Sequence, residues 1–173
     1  MNTRLEARPR RIMAAIDPDP DDPMRDRLNQ PILQLATSLA QQDDAWLNVV
    51  NLRSLAEEST LRHSGFARVS EAEVDLLSAR EEARSAARFG TSTDACAGHA
   101  DPMRRLHLKG RASEILPDHA ENEAIGTLVM GTVARTGIAG LFIGNTAETV
   151  LAQVKCSIRT VKPEGFVSPV SAQ

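Results

Sequence analysis

The stretch VMGTVARTGIAGLFIGNTAE, residues 129–148, decides both the fold and the candidate site of this chain. It begins with an apolar run that is typical of a buried strand, and it ends in residues that favour a helix. Four glycines lie between those ends: Gly131, Gly137, Gly140 and Gly144. A glycine-rich backbone can curl and present N–H groups, and the start of the following helix adds partial positive charge. The stretch therefore predicts a strand, a phosphate-binding loop and a helix, in that order.

The predicted loop is neither of the two commoner phosphate loops. The patterns G-x-x-x-x-G-K-S/T and G-x-G-x-x-G do not occur in the chain. The interval from Gly131 to Gly144 is also longer than either pattern allows. A different kind of nucleotide or phosphate site is therefore expected.

Outward from this stretch, apolar runs alternate with helical patterns along the chain. Apolar runs predict strands at residues 12–16, 46–52 and 125–130, and two less apolar segments predict strands at 105–109 and 157–161, the last closed by Pro163. Helical spacing predicts helices that begin near Asn29, at Ser70 and at Asn145, with the second ending near Gly90. Ile115 and Leu116 are expected in a further short helix, which Pro117 must either kink or occupy early. Such alternation predicts an α/β fold: a doubly wound, five-stranded parallel sheet with helices on both faces.

The length and composition indicate one compact domain. At 173 residues the chain matches one typical domain, with hydrophobic residues at 42% of the total. We expect an N-terminal extension at residues 1–10, a domain at 11–163 and a C-terminal tail at 164–173.

Charge and residue usage exclude several classes of protein. A net charge of −3, with aromatic residues at 3% and no tyrosine, argues against nucleic-acid binding and against a base-stacking surface. No run approaches the roughly 18 apolar residues of a membrane span, and the first apolar run is too short for a signal peptide. Cys96 and Cys156 are expected to be free thiols, because two cysteines in such a chain do not form a disulfide framework. The expected location is the cytoplasm.

A second candidate position is Asp17, directly after the first predicted strand. In doubly wound folds the ligand lies beyond the carboxyl ends of the strands, at the point where strand order reverses. Asp17 can serve there as a ligand contact, or it can simply form the turn together with the Pro-Asp-Pro that follows. No residue pattern predicts a catalytic group or a metal site.

The run at 129–148 resembles the signature segment of the universal stress protein family. The resemblance extends over about residues 11–163 and includes Asp17, the turn at Lys109 and Gly110, and the closing Val161-Lys162-Pro163. Residues 162–169 resemble the end of the tandem-domain branch of that family, although one domain is present here.

The resemblance implies a five-stranded parallel sheet, a homodimer through the edge strand near Ser157–Val161 and, in one branch, bound ATP with Mg²⁺. The nucleotide pattern of that branch is G-x2-G-x9-G-S/T. Gly131 and Gly144 match it, whereas Ala134 stands for the second glycine and Asn145 for the hydroxyl residue. The residues implied to contact nucleotide are Asp17, Val49, Met130, Gly131, Ala134, Arg135, Gly144, Asn145 and Thr146.

Three of these positions have a second interpretation. Asn145 is a favourable helix N-cap, and Glu148 three residues later would complete a reciprocal cap. Val49, which the resemblance places at the end of the second strand facing adenine, is also typical of a sheet core. Arg135 is either a phosphate partner or a solvated surface residue.

Two functions follow from these alternatives. The first is a stress protein that binds ATP or a related adenine nucleotide at Asp17 and the loop from Gly131 to Thr146, as a regulatory ligand with at most slow hydrolysis. The second is a nucleotide-free module that dimerises or binds a partner, with the same loop in a structural role.

Overall fold

The structure, a computed structural model, describes residues 10–19, 23–53, 71–94, 96, 98, 102–132 and 144–162. The strands are β1 (Arg11–Ile16), β2 (Trp46–Arg53), β3 (Met103–Lys109), β4 (Thr127–Gly131) and β5 (Ser157–Val161). The helices are α1 (Pro23–Asp43), α2 (Glu71–Asp94), α3 (Ala112–Asn122) and α4 (Asn145–Gln153). The predicted alternation of five strands with helices is confirmed.

The strands form one parallel sheet in the order β3-β2-β1-β4-β5. The first three strands therefore build outward in one direction, and β4 returns to the other side of β1. This reversal places the switch point of the sheet between β1 and β4, where a ligand crevice is expected in such folds.

The core lies in two layers, one on each face of the sheet. On one face, side chains of α1 and of the end of α2 pack against alternate residues of β1 and β2. Side chains of α3 and α4 cover the other face over Met13, Val50 and Leu128. The strands β1, β2 and β4 are buried on both faces, which explains their continuous apolar runs.

Two helix boundaries differ from those predicted. Helix α1 begins at Pro23 rather than near Asn29, so Pro31 lies inside the helix instead of near its start. A proline there removes a backbone hydrogen bond, and the burial of Leu28, Ile32 and Leu33 compensates for that loss. Helix α2 runs on to Asp94 rather than ending near Gly90.

The turn between β3 and α3 depends on a glycine. Gly110 has φ +143°, and a Cβ atom there would lie 2.9 Å from Cγ1 of Ile115. The conformation and the close approach both favour glycine. The predicted turn at Lys109 and Gly110 is therefore present, and it starts α3 two residues later.

Two other expectations can be compared with the described residues. Cys96 and Cys156 are both free, and burial raises the pKa of the Cys156 thiol above its ordinary value. Across the described parts of the chain, no helix has the length and apolar composition needed to cross a bilayer.

Candidate functional site

The candidate site lies where β1 and β4 end side by side. The last registered pair between these strands joins Ala15 to Met130. Asp17 follows immediately after β1, Gly131 is the last residue of β4, and Thr132 follows it. The switch point therefore brings together Asp17 and the start of the glycine-rich stretch, which are 114 positions apart in the sequence (131 − 17).

Two asparagine side chains hold the backbone at the end of β1. The Nδ2 group of Asn51 donates a hydrogen bond to the carbonyl of Ile16 at 3.1 Å. The N–H of Asp17 donates to Oδ1 of Asn29 at 2.9 Å. Both asparagines are buried, whereas the Asp17 residue is exposed. The backbone before Asp17 is thus anchored, and its side chain lies on the accessible surface.

Gly131 allows α1 to approach the end of β4. A Cβ atom at this position would lie 3.3 Å from Cδ1 of Leu28 and 3.6 Å from Cδ1 of Ile32. The first glycine of the nucleotide pattern therefore has a packing role in this chain, whatever its role toward a ligand.

The two ends of the glycine-rich stretch meet through one backbone hydrogen bond. The N–H of Gly144 donates to the carbonyl of Thr132 at 3.2 Å. This bond brings the start of α4 next to the end of β4 and so next to the switch point. The expected contacts at Ala134 and Arg135 fall at residues 133–143, which are outside the described residues.

The predicted helix cap at Asn145 is wrong. The N-cap of α4 is Gly144, with φ −62° and ψ 144°, and no side chain makes a capping hydrogen bond. The carbonyl of Gly144 instead accepts the first helical bond, from the N–H of Glu148 at 2.9 Å. Asn145 is the first residue of the helix because Gly144 takes the extended conformation that a cap requires. The exposed side chains of Asn145 and Thr146 therefore lie at the N-terminus of α4, where the helix dipole favours anions.

Two other predicted contact residues lie in the core. The strand-end position expected for Val49 is wrong, because β2 continues to Arg53. Val49 is fully buried and pairs with Ala14 of β1 in the middle of the sheet. Met130 is 5% exposed and packs in the layer beneath α3 and α4. Among the described residues, those at the switch point, which form the candidate site, are Asp17, Gly131, Thr132, Gly144, Asn145 and Thr146.

Sequence reasoning missed Asn29 and Asn51. Each stands in an apolar pattern, Asn29 beside Leu28 on α1 and Asn51 between Val50 and Leu52 on β2. Burial of an amide is costly unless it is hydrogen-bonded, so an asparagine within an apolar pattern is the available signal. Asn48 on β2 carries the same signal but has no side-chain partner among the described residues, so the signal alone does not single out Asn29 and Asn51. Among the described residues, no group of three or more His, Cys, Asp or Glu side chains could hold a metal ion.

Comparison with known proteins agrees with this architecture. The pattern of the Universal stress protein family matches residues 9–162. A universal stress protein E homolog of Haemophilus influenzae is 24% identical over 169 residues, which cover 90% of this chain and 48% of that protein. The crystal structure of PA1789 from Pseudomonas aeruginosa PAO1, described as functionally unknown, has a TM-score of 0.67 at 27% identity and covers the same shares of both chains. The chain spans about half the length of these two relatives.

Two more distant structures share the fold and carry nucleotides. One is an Arabidopsis thaliana universal stress protein family protein with AMP bound, with a TM-score of 0.58, 13% identity and 91% of this chain covered. The other is a universal stress protein in complex with cAMP, with a TM-score of 0.58, 15% identity and 88% of this chain covered. These structures and the family match define an α/β protein of the doubly wound class. The chain belongs to the universal stress protein family.

Proposed function

We propose that this protein binds an adenine nucleotide, ATP or a relative of it, at the switch point between β1 and β4 as a regulatory ligand. The observation that carries the proposal is the hydrogen bond from Gly144 to Thr132, which joins the start of α4 to the end of β4. β4 pairs with β1, the strand that Asp17 follows, and doubly wound folds bind ligands beyond the carboxyl ends of such strands. Complexes of distant fold relatives with AMP and with cAMP give further support for this ligand class.

Each part of the site has a distinct role in this proposal. The N–H groups at the start of α4, with Asn145 and Thr146, would bind phosphate oxygens. Asp17 would act through its carboxylate, which suits either Mg²⁺ bound with the nucleotide or a ribose hydroxyl. A partner protein in the cytoplasm would distinguish the nucleotide-bound form from the free form, and this difference would be the signal.

Calorimetric titration tests this proposal. ATP, AMP and cAMP are titrated, each with Mg²⁺, into protein freed of bound ligand. We expect micromolar binding of at least one of them, and the absence of heat from all three at several temperatures would overturn the proposal.

Two matched aspartate variants show where the ligand binds. Asp17→Ala is expected to weaken binding about tenfold or more, the loss typical of one charge-assisted contact. Asp43→Ala is the control, because Asp43 ends α1 near the amino end of β1, opposite to the candidate site, and pairs there with Arg10 at 3.4 Å. Equal losses in the two variants would mean that charge alone, rather than the site, determines affinity.

Sequence restoration is a second test of the same site. Ala134→Gly together with Asn145→Ser recreates the nucleotide pattern implied by the family resemblance. We expect this double variant to bind ATP more tightly, and an unchanged affinity would count against phosphate binding by this loop.

The alternative is a dimerising module, and the position of β5 favours it. Among the described residues this strand pairs with β4, at the end of the strand order, and an edge strand of this kind can pair with a second chain. Sedimentation equilibrium tests this alternative without ligand: a monomer at all concentrations contradicts it. A dimer without nucleotide binding would favour it over the first proposal.

A further inference from the structure

The peptide unit between Ile16 and Asp17 is held on both sides by asparagine side chains. A trans peptide is planar, and its C=O and N–H groups point in opposite directions. Asn51 of β2 donates to the C=O at 3.1 Å, and Asn29 of α1 accepts from the N–H at 2.9 Å. Two hydrogen bonds at opposite ends of one rigid plane restrict its rotation about the chain. We call this arrangement of Asn29, Asn51 and the Ile16–Asp17 peptide the asparagine clamp.

The clamp stands where regular sheet pairing ends. The last registered partner of β1 on β4 is Met130, paired with Ala15, and the last on β2 is Asn51, paired with Ile16. Beyond these rungs the backbone of β1 leaves the sheet, and the N–H of Asp17 meets the Asn29 side chain of α1. Polar backbone groups in such a place need partners, because an unpaired buried group is costly. The two side chains supply the partners that the sheet no longer offers.

The clamp itself is held in place by burial and by a further bond. Asn29 is 4% exposed and Asn51 is 3% exposed, so neither side chain is free to exchange its bond for water. The Nδ2 group of Asn29 also donates to Oδ1 of Asp26 at 3.2 Å, one turn earlier on α1. That bond orients the amide so that its oxygen faces the Asp17 N–H.

We propose that Asn29 and Asn51 are positioning residues of the switch-point site, which hold Asp17 in the geometry that receives ligand. This inference rests on the proposed nucleotide binding, and it adds the residues that prearrange the site. Because the conformation is set before binding, the ligand does not have to order the β1 end itself. Loss of either bond should therefore reduce affinity although neither asparagine is expected to touch the ligand.

Amide hydrogen exchange tests the clamp without any ligand. NMR is used to follow the Asp17 N–H in the wild-type chain, in Asn29→Ala and in Asn51→Ala. We expect protection of this amide to fall about tenfold or more in Asn29→Ala, which removes its acceptor. The matched control is Asn48→Ala: Asn48 is equally buried on β2, but its amide has no hydrogen-bond partner within the described structure. Unchanged protection in Asn29→Ala, or an equal loss in Asn48→Ala, would overturn the clamp.

Calorimetry with ATP and Mg²⁺ on the same variants tests its role in binding. We expect each clamp variant to bind about tenfold more weakly and Asn48→Ala to bind like the wild type. Wild-type affinity in clamp variants whose amide protection is lost would overturn the positioning role and leave the nucleotide proposal intact. A wild-type chain that binds no nucleotide would instead overturn the proposed function and the positioning role with it, while the exchange result still decides whether the clamp exists.

A charge-conserving swap separates positioning from general damage. The double variant Asp26→Asn with Asn29→Asp keeps one amide and one carboxylate, and so preserves both an acceptor for Asp17 and a donor between the two residues. We expect it to recover amide protection and affinity to within about threefold of wild type, well inside the tenfold loss set above. No recovery in a folded double variant would contradict the proposed hydrogen-bond geometry.

Discussion

Helices α1 and α2 are of similar length and cover the same face of the sheet, but they are packed very differently. Along α1 a continuous apolar stripe is buried: Leu28, Ile32, Leu33, Ala36 and Ala40. Among the described side chains of α2, only Phe89 and Thr93 are buried, while Leu76 and Leu77 are 60% and 45% exposed. Length and helical periodicity thus do not reveal how much of a helix is buried.

The difference matters for function because α1 also reaches the candidate site. It supplies Asn29 to the end of β1, and its Leu28 and Ile32 contact the end of β4 at Gly131. One element therefore links the core to both sides of the switch point. Three pairs of variants test how tightly α1 is packed, two of them by comparison with α2.

The largest expected effect comes from Leu33→Ala on α1. Leu33 is 2% exposed, and truncation of such a residue leaves a cavity that costs about 2–5 kcal/mol of unfolding free energy. The same change at Leu77 on α2 should stay within about 0.5 kcal/mol, because that side chain is largely solvated. Urea unfolding measures both, and similar losses would show that α2 is packed more tightly than its exposure indicates.

A smaller effect, of opposite sign, is expected for Pro31→Ala. The substitution restores a backbone hydrogen bond inside α1 and removes the steric conflict of a proline ring within a helix. It also raises the conformational entropy of the unfolded chain, which offsets part of the gain. The net gain should be about 1–2 kcal/mol in thermal or urea unfolding. Gln34→Ala, an exposed control on the same helix, should stay within about 0.5 kcal/mol. A loss of stability in Pro31→Ala would mean that the packing of α1 requires a bend at Pro31.

The smallest effect comes from a matched pair of glycine substitutions. Gly90 lies in α2, and apart from its chain neighbours and the helix's own backbone no described atom lies within 4 Å of the place that an added methyl group would take. Gly90→Ala should therefore stabilise the protein by about 0.5–1 kcal/mol. Gly131→Ala should bring no such gain, because its methyl group would press on Leu28 of α1 at 3.3 Å. Differential scanning calorimetry compares the two variants, and equal gains in stability would show that α1 can shift away from β4 to make room for the methyl group.

Much of the fold could be predicted from local patterns. β5 lies at Ser157–Val161 as predicted, since the short segment between the last predicted helix and Pro163 leaves little choice of position. The boundaries of α1 and α2 were less predictable because a helix can extend through an unfavourable residue when its face is buried. Pro31 and Gly90 are two such residues, and both lie inside helices.

For the candidate site, the sequence could identify positions but not their neighbours. Asp17 and the glycines at 131 and 144 were recognisable from their places after strands and before a helix. The N-cap at Gly144 was not, and the choice for Val49 between a ligand contact and a core position stayed open, because each depends on where an element begins or ends along the chain. Family resemblance named Val49 by alignment, and only the sheet register placed it in the core.

The sequence by itself determined the alternation of strands and helices, the family and the glycine-rich segment, because these depend on composition and spacing along the chain. Only the tertiary structure decided which strand ends meet. It also decided that Asn29 of α1 and Asn51 of β2 both form hydrogen bonds with the Ile16–Asp17 peptide. Such contacts join residues 12 and 35 positions apart, and no local pattern records them. The physical reason is that hydrogen bonds at a switch point are made by whatever side chains the packed layers bring there.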